Sequence, residues 1–165
     1  MRKGAQGFTL LELLVTVAIV ALLASIAVPG FRDTIQNNQL ISCANKLAVG
    51  VQVAKSEAIS TRRTVILAAD PLSPVQPAFR VGLDTDGDNA VSDADLIQAF
   101  NCESQGVTIT PVPDVAFISF NPTGFRGDGQ GQVVFTTCNE FGRGRVLTVT
   151  NGGGVTAADT AAGVC

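Results

Sequence analysis

Between Phe8 and Val28 the chain runs for about 21 residues with a single ionisable side chain, Glu12. At about 1.5 Å per residue, a helix of that length is close to 30 Å long, enough to cross the hydrocarbon core of a bilayer. Met1-Arg2-Lys3-Gly4-Ala5-Gln6-Gly7 before it is polar and basic, and no charge follows Glu12 until Arg32. The positive-inside rule then places the N-terminus in the cytoplasm and exports the remainder. A cleaved secretory signal is the competing reading, because a basic start, an apolar stretch and Ser25-Ile26-Ala27 fit its three-part pattern. Glu12 argues against it. A carboxylate near the bilayer centre costs on the order of 2.5–3.5 kcal/mol on insertion scales, and a disposable signal gains nothing from it. A buried acid near one end of a span points to a partner.

The whole chain has 165 residues, 46% apolar and 15% charged, which is too apolar for a disordered polypeptide. The length allows one folded unit plus an appendage. With no His, Trp or Tyr, every scheme built on an imidazole base, a His-containing triad or His-ligated zinc is excluded. No Gly-x-Ser-x-Gly elbow, phosphate-binding loop or paired catalytic carboxylates stand out, so the chain does not read as an enzyme. Net charge is −3, and five acids fall in one stretch, Asp84, Asp86, Asp88, Asp93 and Asp95. Broad nucleic-acid binding is excluded by that balance, and any such site is small and local.

Beyond the span, Leu40, Ala44, Leu47, Ala48, Val51, Ala54 and Ala58 recur at spacings of three and four, the pattern of an amphipathic helix. Arg62 and Arg63 sit where positive charge favours a helix C-terminus. The expectation is one long helix from about Thr9 to about Thr61, slightly weakened by Gly50. Pro29 removes a backbone donor and is expected to kink or locally open it, or else to end it at the membrane edge. Candidate strands follow at Thr64 to Ala68, Phe79 to Leu83, Gly106 to Thr110, Ala116 to Phe120, Gln132 to Thr137 and Arg145 to Thr150. Asn121 to Gly124 and Arg126 to Gly131 read as turns. A helix followed by a run of antiparallel strands gives an α+β fold in which a sheet covers the helix stripe.

Gly7-Phe8-Thr9-Leu10-Leu11-Glu12-Leu13-Leu14, after a short basic leader and before the apolar run, resembles the class III signal of type IV pilins and type II secretion pseudopilins. The resemblance implies that a prepilin peptidase cuts between Gly7 and Phe8 and methylates Phe8, leaving about 158 residues. Glu12 then becomes the fifth mature residue and Pro29 the twenty-second, where many family members carry proline. Two such helices, offset along their axes, would set the carboxylate of one against the amine of the next, so that each buried charge meets its opposite. Ala54 to Ala58, Arg62-Arg63-Thr64-Val65, Phe120 to Gly124 and Val134 to Cys138 are similar to phrases of the minor FimT, FimU and secretion-H subgroup, in the same order. That subgroup implies a type IV pilin-like fold with divisions at 1–7 (leader), 8–29 (transmembrane and assembly helix), 30–63 (its amphipathic continuation) and 64–165 (a β-domain with an acidic loop at 84–95). It also implies a single-pass inner-membrane protein with a periplasmic C-terminal domain, later part of a pilus or pseudopilus, whose partners are other pilins or pseudopilins and the peptidase. A major pilin is the alternative within the family.

Four cysteines lie in the exported part, where disulfides persist. Of three pairings, Cys138 with Cys165 would tie down a Gly/Ala-rich tail and Cys43 with Cys102 would tether the acidic-loop region to the helix, each worth about 3–4 kcal/mol in the chain-entropy model. One pair with two free thiols is the alternative. No cofactor is required by anything in the chain. Asp84, Asp86, Asp88, Ser92 and Asp95 do place oxygens at positions 1, 3, 5, 9 and 12 of a loop similar to EF-hand and dockerin calcium loops. Position 6, normally Gly, is Asn89, which also tolerates a left-handed backbone. A solvated loop, acidic for solubility, competes with that reading. Finally, Gly142-Arg143-Gly144-Arg145 has the spelling of a Gly-Arg-x-Arg motif through which some FimT-like relatives take up DNA. Here it precedes a strand, with Glu140 alongside, and a solvent-facing arginine pair is the competing reading.

Overall fold

The apolar run and the amphipathic stripe join in a single helix, α1, Leu10–Thr61, in the computed structural model, which describes residues 8–70, 77–102, 106–160 and 165. The leader, with Gly7, lies outside the described residues. The chain divides into two compact units, Met1–Ile35 and Gln36–Cys165, and α1 contributes to both.

In the first unit the apolar side chains of α1 are exposed from Leu10 through Ile26, and this helix is long and apolar enough to cross a membrane. Its hydroxyls are turned back onto the helix itself: Thr16 Oγ1 donates to the Leu13 carbonyl (2.8 Å), Ser25 Oγ to Leu22 (2.7 Å) and Thr34 Oγ1 to Gly30 (3.0 Å). That is how polar groups are satisfied where no water is available. The helical backbone continues through Pro29. The helix therefore does not end at Pro29, because proline removes only one backbone donor from the ladder.

The second unit begins on the remaining turns of α1. Leu40, Ala44, Leu47, Val51, Ala54 and Ala58 are buried, as the sequence stripe requires, Cys43 is buried beside them, and Ala48 is only half-buried. Gly50 also lies on this face. A Cβ there would come within 2.9 Å of Leu67 Cδ1 and 3.0 Å of Phe79 Cε2, so the glycine permits a close approach between helix and sheet that offsets its poor helix propensity. The last turn closes with Ser60 Oγ and Thr61 Oγ1 donating to the Glu57 carbonyl (3.1 and 2.6 Å), and Arg62 then takes a left-handed φ of 54°.

Eight strands follow: β1 Val65–Ala69, β2 Ala78–Leu83, β3 Leu96–Asn101, β4 Val107–Val112, β5 Phe117–Phe120, β6 Val133–Asn139, β7 Gly144–Val149 and β8 Val155–Asp159. They form two four-stranded antiparallel sheets, ordered β3-β2-β1-β5 and β4-β6-β7-β8, rather than one. Both sheets feed one core with the helix stripe: Val65, Leu67, Val81, Ile118 and Phe120 from the first, Val133, Phe135, Leu147 and Val149 from the second. Each such side chain contributes about 1.5–3 kcal/mol on full burial. β3 and β8 are additions to the sequence reading. Both are edge strands with mostly exposed residues, and so lack the apolar alternation by which strands are recognised.

The segment linking β5 to β6 is organised by polar groups. Asn121 Oδ1 accepts from the Thr123 amide (3.0 Å), the Thr123 hydroxyl (2.6 Å) and the Phe125 amide (3.2 Å). Arg126 and Asp128 form an ion pair with side chains 1% and 2% exposed: Nε and Nη2 both reach Asp128 Oδ2 (3.1 and 2.6 Å), and Nη1 donates to the Gly131 carbonyl. Buried charges require that degree of partnering.

Candidate assembly site

The site suggested by the sequence begins at Phe8, 87% exposed, two residues ahead of the first residue of α1. Thr9 and Glu12 satisfy each other there. The Thr9 amide donates to Glu12 Oε2 (3.1 Å), the Thr9 hydroxyl reaches the same oxygen (3.1 Å), and the Glu12 amide faces Thr9 Oγ1 (3.3 Å). This is a capping box, in which two otherwise orphaned helix donors are paired reciprocally, and the acid also complements the positive end of the helix dipole. The carboxylate is thus folded back toward the start of the helix. The Thr-x-x-Glu spacing was legible in the sequence, but the role of Thr9 follows only from the geometry. Among the described residues Glu12 makes no ion pair.

Both expected disulfides are formed, Cys43–Cys102 and Cys138–Cys165. The first ties α1 to the residue after β3, and the second ties Cys165 to β6.

The acidic loop separates into two groups. Carboxylate oxygens of Asp84, Asp86 and Asp88 lie within 4.8 Å of one another, an arrangement that could hold a hard cation. Asn89 adopts the left-handed φ of 60° that position 6 of such a loop demands. Ser92 and Asp95 are occupied elsewhere: Asp95 accepts from Ser92 Oγ (2.6 Å) and Thr85 Oγ1 (2.9 Å), and the Ser92 hydroxyl first, then the Thr85 hydroxyl, holds the Asp95 carboxyl below its ordinary range. The fit to a calcium loop is therefore to three of its five oxygen positions. The loop is anchored by Arg80, a buried cation of β2 that pairs with Asp93 and donates to the Val91 carbonyl (3.1 Å). Gly82 lets the loop return onto β2, since a Cβ there would lie 2.8 Å from the Asp95 carbonyl. Arg80 carried no motif, and only its burial reveals its role.

The two arginines of the Gly-Arg-Gly-Arg run lie at different places. Arg143 is exposed in the β6–β7 turn, whose shape is set by Asn139 Oδ1 accepting from the Phe141 and Arg143 amides (3.1 and 2.9 Å). Arg145 is half-buried in β7, opposite Asp159 of β8, with Nε 3.5 Å from its carboxylate.

The chain matches two family models. Residues 2–28 fit the prokaryotic N-terminal methylation motif, and residues 44–153 fit the type II transport protein GspH. The chain belongs to the GspH family. The fold agrees: the type IV minor pilin FimU of Pseudomonas aeruginosa superposes with a TM-score of 0.61 at 23% identity, covering 74% of this chain and 90% of that one. Among curated relatives, the type IV major alpha-pilin of Moraxella bovis is 34% identical over 68 residues, 41% of this chain and 42% of that protein. A fimbrial protein of Pseudomonas aeruginosa is 32% identical over 69 residues, 42% of this chain and 44% of its own length. This GspH-family chain therefore matches less than half the length of these relatives.

Proposed function

We propose that this protein is a membrane-anchored minor pilin or pseudopilin. It is a structural subunit rather than an enzyme, cut between Gly7 and Phe8 and N-methylated at Phe8 by prepilin peptidase. It then enters a type IV pilus or a type II secretion pseudopilus through the N-terminal part of α1. The observation that carries this reading is the exposed apolar helix whose lone acid, Glu12, is folded back onto its first turn, in a chain of the GspH family. Residues 1–7 act as leader, 8–29 as the assembly helix and 30–63 as its continuation, including Pro29 where the helix crosses the membrane edge. Residues 64–165 form the periplasmic β-domain. The N-terminus is cytoplasmic and the anchor sits in the inner membrane before assembly.

In this reading Glu12 is neutralised by the Phe8 amine of an adjoining subunit, because two charges in an apolar bundle are tolerated when they meet. The GspH match supports the minor over the major role. Asp159 opposite Arg145 supports a structural role for Arg145 in the sheet rather than DNA uptake. Any calcium at Asp84, Asp86 and Asp88 is structural: it neutralises like charges and orders the loop. Capture of the native filament or assembly complex, with partners identified by mass, tests the proposal. Recovery with pilin-type subunits is expected, and a chain found only as a monomer in the soluble fraction overturns it.

A further inference from the structure

We infer that Asn151 in the β7–β8 turn is a site of spontaneous deamidation in the folded protein, restrained by the ammonium of Lys55. This inference is independent of the pilin reading. Asn151-Gly152 is the one Asn-Gly pair in the sequence. An amide nitrogen followed by no side chain is open to attack the preceding Asn, and three successive glycines, Gly152 to Gly154, make this turn adaptable. Asn151 is exposed, and among the hydrogen bonds of the described residues none uses the Gly152 amide.

The chemistry needs only water. The Gly152 nitrogen attacks Asn151 Cγ, giving up its proton as the new C–N bond forms. The Cγ–Nδ2 bond then breaks and ammonia leaves, giving a cyclic imide. Water opens the imide at either carbonyl, yielding aspartate or its β-linked isomer.

The surrounding structure opposes the required rotation. The Arg126 amide donates to the Asn151 carbonyl (2.9 Å), Lys55 Nζ donates to the Gly152 carbonyl (2.7 Å), and the Gly153 amide donates to the Thr150 carbonyl (2.9 Å). The Asn151–Gly152 peptide that must turn is thus held at its own carbonyl from the β5–β6 segment, and the peptide that follows it is held from α1. Conversion puts a new carboxylate beside Lys55, and the β-linked product adds a methylene to a backbone whose carbonyls are both engaged.

The full chain, in detergent at mildly alkaline pH, is incubated in native form and in denaturant, then reduced and digested after arginine. The fragment Val146–Cys165 contains a single Asn, so its mass gain reports Asn151 alone. The expected result is conversion of the native chain, several-fold slower than the denatured one. Lys55→Met, which keeps the aliphatic stem, should raise the native rate. Gly152→Ala should suppress conversion in both states, and it fits the fold because a Cβ there meets nothing within 4 Å. No mass gain in the native fragment over several denatured-state lifetimes overturns the site, and an unchanged rate in Lys55→Met overturns the restraint.

Discussion

Arg126 and Asp128 illustrate how single residues hold this fold. With both side chains almost wholly buried, removing one charge leaves the other unpaired. Arg126→Met is therefore expected to cost about 3–5 kcal/mol in denaturant unfolding, and replacing both partners by apolar residues should recover part of that loss. Asp95 provides a pH test. Its folded pKa lies below the unfolded value of about 3.9, chiefly through Ser92 and then Thr85, so the unfolded chain binds more protons in the intervening window. The stabilisation is present above the unfolded value and is lost as pH falls through the folded one. Ser92→Ala should move the Asp95 titration, followed by NMR, back toward the ordinary range, and an unmoved titration would contradict that cause. At this scale the sequence was readable where a residue type is rare in its surroundings, as Glu12 is. It was silent on Arg80 and Arg126, whose importance comes from being buried by neighbours distant in the chain.

Among the elements, α1 was legible almost to its ends because its two patterns, continuous apolarity and a spacing of three and four, are local properties. The cost of Gly50 to the helix is local and legible, whereas what offsets it, the approach of Leu67 and Phe79 from the sheet, is not. Gly50→Ala should therefore destabilise by about 1–3 kcal/mol despite alanine's higher helix propensity, as measured by chemical denaturation. Strands β3 and β8 were hidden for the opposite reason. Exposed edges carry no periodic apolar signal, and their pairing with β2 and β7 is a long-range fact. The acidic loop yields a direct measurement: if Asp84, Asp86 and Asp88 hold calcium, millimolar Ca²⁺ raises the melting temperature, chelator reverses it, and Asp86→Asn abolishes the response. A melting temperature indifferent to both leaves the loop as a solvated connection.

For the whole molecule, the first unit presents an apolar surface that only a membrane or other helices can cover, whereas the second has a core of its own. Such a division is what the proposed function requires of a subunit that starts in a bilayer and ends in a fibre. The sequence carried that division openly in its hydropathy. It did not carry the split of the strands into two sheets, which depends on how the second unit closes around the helix stripe. The account requires a free amine immediately ahead of the capping box, within reach of a neighbour's Glu12, and that amine exists only after cleavage. The most direct measurement is the intact mass and N-terminal sequence of the protein isolated from the filaments of its native cell. The account predicts a chain beginning at N-methylated Phe8, with Glu12→Ala processed but lost from the filaments. A chain beginning at Met1 or Val28, or full incorporation of the Glu12→Ala variant, would contradict it.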